Sequence, residues 1–178
     1  MQDLSLHILD IVENSIDAGA TKIEIMINEA VAKNLLEISI KDNGKGMGAK
    51  TIKKILDPFY TTKTVRRVGL GLSLFAQTVR EAQGKLKIIS KPNKGTMVKA
   101  QMSYNHIDRK PLGNMCDTLM ALIGTRSEDI DFFYHHKKDG KEFSFSTKEI
   151  RRYLGLRQLN HPEVLKFLRK EIKRCMPR

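Results

Sequence analysis

A two-layer α/β sandwich, with helices covering one face of a sheet, is the fold class that this 178-residue sequence predicts. Three observations carry it. Stretches with apolar residues at helical spacing alternate with stretches of strict two-residue alternation. Their order through residue 103 is helix, two strands, helix, loop, helix, two strands, which suits one sheet under one helical layer. Glycine-rich breaks separate them.

Residues 3–17 read as an amphipathic helix, with Leu4, Ile8, Ile11, Val12 and Ser15 on one arc and Gly19 just beyond its end. "TKIEIMI" (21–27) and "LLEISIKD" (35–42) alternate as strands. "DNGKGMG" is too rich in glycine for regular structure. "AKTIKKIL" (49–56) is a short helix, stopped before Pro58. A basic loop follows, then a helix over 70–84 that ends at Gly84. "KLKIIS" and "TMVKAQM" form a hairpin around "KPNKG".

The pattern changes after "HIDRKPLG". Residues 104–178 read as a small α+β extension: the helix "NMCDTLMALIG", a hairpin from "DIDFFYHH" and "KEFSFST", and the helices "TKEIRRYL" and "PEVLKFLRKEIKRC". About seventy-five residues make too small a core to stand alone, so the extension is expected to pack on the first 103 residues or on a partner. Met115, Leu119, Leu122, Phe132, Phe133, Leu165 and Leu168 read as the extension's own core, with an interaction surface as the alternative.

Apolar residues make up 40%, enough for a packed core. No apolar run approaches the roughly 18 residues that span a membrane, and the start lacks the pattern of a signal peptide. Cys116 and Cys175 form neither a C-x-x-C pair nor a disulfide framework, so a cytoplasmic protein is expected. The formal charge is +12. Residues 1–103 and 104–178 each carry 16 basic and 10 acidic side chains. Charge spread this evenly is not a nucleic-acid-binding stripe.

Three constellations stand out. His7, Asp10, Asn14 and Asp17 share a polar arc of the first helix at spacings of three and four. The arc is either a solvated face or a functional one. "DNGKGM" places Asp42 at a strand end before Gly44 and Gly46. A buried carboxylate there needs donors, and the exocyclic amine of a purine is one. The alternative is a tight turn closed by an Asx bond. Gly69 and Gly71 precede a helix whose free amides suit phosphate, with Lys63, Arg66 and Arg67 nearby. Neither the phosphate-loop nor the dinucleotide fingerprint is present.

"DIVENSIDAGA", "DNGKGM", "DPFYTTK", "VGLGLSL" and "KGT" follow one another within one hundred residues. This series resembles the Bergerat-type ATP-binding domain shared by sensor histidine kinases, type II topoisomerases, mismatch-repair ATPases and heat-shock chaperone ATPases. "DPFYTTK" followed closely by "GLGLSL" looks like the histidine kinase branch. "ENSIDAGATKIEI" is similar to the mismatch-repair branch, whose second catalytic-lobe domain this chain length leaves no room for. The resemblance covers residues 1–103 and implies a mixed sheet with helices on one face.

It also implies roles. Asn14 would coordinate Mg²⁺ on the ATP phosphates, and Asp42 would accept from the adenine amino group. Gly44 and Gly46 would admit the base, with Met47 in its apolar wall. Residues 57–68 would form a lid, with Phe59 at its base and Thr61, Thr62 and Lys63 facing the nucleotide. Gly69, Leu70 and Gly71 would offer amides to phosphate. Thr96 would help to fix Asp42 and the base through water.

The chain departs from the family pattern at three points. Where hydrolytic relatives carry a water-activating Glu, this chain has Asp10, a shorter acid. Asp17 stands where many sensor kinases have a basic residue. None of His7, His106, His135, His136 and His161 has the context of a phosphoacceptor, and Met1 lies almost at the first motif. The expected function is therefore a stand-alone, Mg·ATP-dependent regulatory kinase with Asp10 as catalytic acid–base. It would transfer phosphate to Ser or His of a separate protein, as anti-sigma kinases of this family do. The alternative is a non-catalytic switch gated by ATP or ADP, and nucleic-acid binding ranks third. A homodimer is compatible with either of the first two.

Overall fold

The computed structural model describes residues 3–56, 70–126 and 129–177. Helix α1 (Leu4–Asp17) starts at Asp3, whose carboxylate accepts from the Leu6 amide at 3.1 Å and the Ser5 hydroxyl at 2.7 Å. Its Leu4, Ile8, Ile11 and Val12 are buried. Strands β1 (Lys22–Ala30) and β2 (Leu35–Asp42) pair antiparallel, joined by one 3₁₀ turn at Val31–Lys33. Ile23, Ile25 and Ile27 of β1 and Leu36, Ile38 and Ile40 of β2 are all almost fully buried. The two-residue alternation thus sends every second side chain under the helices.

Helix α2 (Ala49–Leu56) precedes α3 (Leu70–Glu81). Helix α3 ends three residues before Gly84, because Gln83 already takes a positive φ of 52°. Strands β3 (Lys85–Ser90) and β4 (Thr96–Ser103) form the expected hairpin, with Ser90 opposite Thr96.

The extension contains α4 (Met115–Arg126), β5 (Asp131–Lys138), β6 (Lys141–Ser146), α5 (Thr147–Leu154) and α6 (Pro162–Cys175). It does not form a separate layer. Strand β5 lies parallel to β1, and the result is one six-stranded mixed sheet in the order β3-β4-β2-β1-β5-β6. The expected private core is corrected in the same way. Met115, Leu119, Leu122, Phe132 and Leu168 belong to the buried cluster that also holds Leu4, Ile25 and Phe75, while Leu165 is half-buried against it. Phe133, on the opposite face of β5, is half-buried.

A polar chain crosses the seam between the first strands and the extension. Glu29 of β1 meets His136 Nε2 of β5 at 2.8 Å, and His136 Nδ1 meets the Tyr134 hydroxyl at 3.1 Å. Burial pushes the Glu29 carboxyl up, but the His136 hydrogen bond and the Lys138 charge outweigh it and hold the group below its usual range. Burial pushes the Tyr134 phenol far up. Fully paired in this way, the buried polar groups tie β5 to β1 instead of opposing the junction.

Candidate nucleotide-binding site

A cavity of about 450 Å³ opens between α1, α2, α3 and the ends of β2 and β4. Ile11, Ile40, Ile55, Leu72 and Val98 give it apolar walls, and Met47 closes one side. Asn14, Asp17, Asp42, Lys45 and Thr96 supply its polar groups. Most sites for small molecules share this design of apolar walls and a few placed polar groups.

Asp42, the last residue of β2, sits at the base, 8% exposed. Its Oδ1 accepts from the Gly44 amide at 2.8 Å and the Thr96 amide at 3.2 Å. Its Oδ2 accepts from the Ser15 hydroxyl at 3.0 Å. Three donors make a buried carboxylate tolerable and fix its direction. Oδ2, with one partner, keeps acceptor capacity beside the cavity. Thr96 therefore reaches Asp42 directly through its backbone, while its hydroxyl bonds that of Ser90 at 2.9 Å.

The glycines have a more immediate task than admitting a ligand. A Cβ on Gly46 would lie 2.1 Å from the Lys91 carbonyl oxygen, and Gly46 has φ of +62°. A Cβ on Gly95, with φ of +80°, would lie 2.0 Å from the carbonyl oxygen of Asp42. Both positions bring backbone against backbone and so hold the 43–48 loop to the β3–β4 turn. Asn93 N donates to the Lys45 carbonyl at 2.7 Å, and Met47 N to Ser90 Oγ at 2.8 Å, across the same junction.

Asp10 is half-buried one helical turn from Asn14, at the start of α3. A Cβ on Gly71 would fall 1.6 Å from Asp10 Oδ2, so the acid occupies the space that the missing side chain leaves. His7 departs from the expected polar arc. It is buried between α1 and α3, with Nε2 3.1 Å from Thr78 Oγ1 and its ring 5.4 Å from that of Phe75. Among the described residues its Nδ1 has no hydrogen-bond partner.

The expected contributions of Phe59, Thr61, Thr62, Lys63 and Gly69 lie outside the described residues, as does the side chain of Leu70. Among the described residues no group of three or more His, Cys, Asp or Glu could hold a metal. An Asn14-based Mg²⁺ site is compatible with that, because Mg²⁺ keeps waters and phosphate oxygens and needs few protein ligands. Sequence reasoning missed Ser15 as a site residue. It counted as part of the apolar arc, and a hydroxyl among Ile11 and Val12 facing the end of β2 is the signal that could have found it. Ser90 was missed too, and Gly95 stood in the quoted "KGT" without a role of its own.

Two predictions arise here. Asp42→Asn keeps one oxygen for the Gly44 and Thr96 amides but turns an NH₂ toward Ser15 and the cavity. Two donors would then face each other where an adenine amine enters. ATP affinity is expected to fall on the order of 10- to 100-fold, as an unpaired buried polar group costs about 1–3 kcal/mol. Titration calorimetry checks it, with an unchanged circular dichroism spectrum.

Burial, the largest cause, holds His7 below its usual pKa of 6.5. The unfolded chain therefore binds a proton that the folded chain refuses, so stability is lost as pH falls below 6.5. His7→Gln is expected to flatten that loss in thermal melts taken between pH 7 and pH 5.

An apolar cavity beside an oriented, buried carboxylate, under a helix that carries an Asn and an acid, defines a nucleotide-binding domain of the α/β sandwich class. The family model for histidine kinase-, DNA gyrase B- and HSP90-like ATPases matches residues 2–106, and the chain belongs to that family of ATP-binding domains. A putative sensor protein of Shewanella frigidimarina is 37% identical over 100 residues, covering 55% of this chain and 15% of the relative. Sporulation kinase C of Bacillus subtilis is 36% identical over 89 residues, covering 50% and 21%. The matched region is thus a small part of those relatives.

Two solved structures share the fold. The N-terminal domain of a DNA repair protein superposes with a TM-score of 0.55 at 20% identity, over 81% of this chain and 52% of that one. The Aquifex aeolicus MutL ATPase domain, complexed with ADP, gives 0.50 at 18% identity, over 88% and 70%. The likeness in fold therefore extends past residue 106. Among the described residues no helix is long and apolar enough to cross a membrane.

Proposed function

We propose that this protein is a Mg·ATP-dependent regulatory kinase that transfers the γ-phosphate to a serine or histidine of a separate protein. One observation carries the reading. Helix α1 sets Asp10 against Gly71 at the start of α3, turns Asn14 into the cavity, and bonds Ser15 to Asp42 at its base. One helix thus spans the distance from the carboxylate proposed to read the base to the acid proposed to take the proton.

In this reading Asp42 Oδ2 accepts from the adenine amino group, and the apolar walls hold the ring. Asn14 holds Mg²⁺ through its amide oxygen, and the ion supplies charge neutralisation at the phosphates. The partner's hydroxyl oxygen or imidazole nitrogen attacks the γ-phosphorus. The bond from that phosphorus to the β,γ-bridging oxygen breaks, and ADP leaves. For a serine acceptor, Asp10 takes the hydroxyl proton. Among the described residues no histidine lines the cavity, which supports an acceptor from outside it. The reading puts the protein in the cytoplasm, where ATP is available.

A non-catalytic switch is the second reading, and a specific contact favours it. The amides of Leu4 and Ser5 at the start of α1 donate to the carbonyls of Pro111 and Leu112, at 2.9 and 2.8 Å, just before α4. A nucleotide-dependent shift of α1 would reach the extension by that route.

The test is incubation with γ-labelled ATP and Mg²⁺, alone and with cell extract, beside Asn14→Ala. The kinase reading expects label on a protein, lost in the variant. Acid-stable label indicates serine, and acid-labile label histidine. ATP bound with no label transferred would overturn the kinase reading in favour of the switch.

A further inference from the structure

Among the described residues three charged side chains line the nucleotide cavity: Asp42, Lys45 and Asp17. Asp42 is buried and takes its donors from Ser15, Gly44 and Thr96. Asp17 is exposed, and among the described residues its carboxylate has neither a hydrogen bond nor an ion pair. Lys45 forms no ion pair with it, although the Lys45 amide donates to the carbonyl of neighbouring Ala18 at 2.9 Å.

Nothing in the local structure favours an acid at this position. Asp17 is the last residue of α1, where unpaired carbonyls make the helix end negative, and the last turn holds no basic residue. It also borders a cavity that takes a triphosphate in the proposed function, so two negative charges would meet there. The helix cap does not use it either. The amides of Ala18 and Gly19 return to the carbonyls of Asn14 and Ile16. The carboxylate is therefore an open acceptor at a ligand site. The group that suits it is a neutral donor on a ligand that is otherwise anionic.

Helical geometry says which part of the ligand lies there. Asp10 and Asp17 are seven residues apart, nearly two full turns. They share one side of α1 and stand about 10 Å apart along its axis. Ser15, rotated toward the sheet, bonds the Asp42 that receives the base in the proposed seating. Asn14 lies between these two directions. With the phosphates running toward Asp10 and the start of α3, Asp17 stands at the other end of the row, on the rim beside the base. The sugar joins base to phosphates, and its hydroxyls are neutral donors. We propose that Asp17 is the specificity residue for the sugar: its carboxylate accepts from the 2′- and 3′-hydroxyls of the ribose, and the site selects ribonucleotides over deoxyribonucleotides. The proposal rests on that seating of the nucleotide and not on phosphate transfer.

Titration calorimetry of the 178-residue chain with ATP, 2′-deoxyATP, 3′-deoxyATP and inosine triphosphate, each with Mg²⁺, tests it. Wild type should bind each deoxy analogue about tenfold more weakly than ATP, the scale of one hydrogen bond to a charged group. Asp17→Ala should weaken ATP about tenfold and leave the deoxy analogues unchanged, because lost bonds and relieved repulsion offset each other there. The three nucleotides then bind within about twofold of one another. Asp17→Asn, which keeps an acceptor oxygen, should retain part of the preference. Neither variant should lower the melting temperature, since each removes an acid from a helix C-terminus.

Inosine triphosphate lacks the base amine, so it reads the seating separately. The preference for ATP over it should survive Asp17→Ala and be lost in Asp42→Asn. Absence of that preference in wild type would overturn the seating itself. Equal binding of ATP and its deoxy analogues, with the base preference intact, would overturn the proposal alone. So would a sugar preference that persists in Asp17→Ala, or a loss of ATP affinity in that variant that excess Mg²⁺ restores, which would make Asp17 a metal ligand.

Discussion

Asp10→Asn is expected to lower phosphate transfer by about 10²- to 10⁴-fold while leaving ATP affinity within a few-fold of wild type, since that is the range a positioned acid–base group contributes. The substitution is nearly isosteric. It keeps a side chain of the same length in the space above Gly71, where a Cβ would lie 1.6 Å from Asp10 Oδ2. It removes the charge and the proton-accepting oxygen. The cavity walls and the Asp42 bonds to Ser15, Gly44 and Thr96 are untouched, so binding should persist. Single-turnover transfer and equilibrium binding, measured on the same preparation, separate the two effects. Equal loss of binding and transfer would make Asp10 a structural support of the α1–α3 contact and remove it from the chemistry.

Phe132→Ala should destabilise the whole chain by about 3–5 kcal/mol, a large share of the roughly 5–15 kcal/mol that holds an ordinary domain together. Phe132 is 1% exposed and stands beside Ile23 in the parallel register of β5 on β1. The truncation leaves a hole under the helical layer. Because the extension shares that core, a single transition should shift down by on the order of 10 °C. Far-ultraviolet circular dichroism and the fluorescence of a bound nucleotide analogue should report the same midpoint. Two separate transitions, with nucleotide binding surviving the first, would show that residues 104–178 unfold on their own.

The two experiments address features of very different legibility. The polar motifs were readable because each needs particular residue types at short spacing. Asp42 before Gly44 and Gly46, Asn14 one turn after Asp10, and Gly71 at a helix start are all local patterns. The structure brings Asn14, Asp42, Gly46, Met47 and Thr96 around one cavity. The reasons for the glycines were not readable. Gly46 is squeezed by the Lys91 carbonyl and Gly95 by that of Asp42, across junctions that join residues about fifty apart in the chain. His7 shares the spacing of Asp10 and Asn14, yet it is buried against Phe75 and Thr78 of another helix. Spacing along one helix states which residues share an arc, and only the neighbouring element decides whether that arc meets water.

The same division runs through the fold. Periodicity and turn residues by themselves determined the elements, because φ/ψ preference and amphipathic period are properties of short segments. The alternation of Ile23, Ile25 and Ile27 and the glycine-bearing turn between β3 and β4 needed nothing remote. Strand partnership was decided only in three dimensions. Backbone hydrogen bonds are the same for every residue type, so nothing in "DIDFFYHH" says that it will lie parallel to β1 instead of forming a layer of its own. What selects that arrangement is the burial of Phe132, Tyr134 and Leu119 in the core that Leu4 and Ile25 began, with Glu29 and His136 pairing across the seam. Hydrophobic burial is strong but not directional, so it acts on the assembled surface and leaves no local mark in the chain.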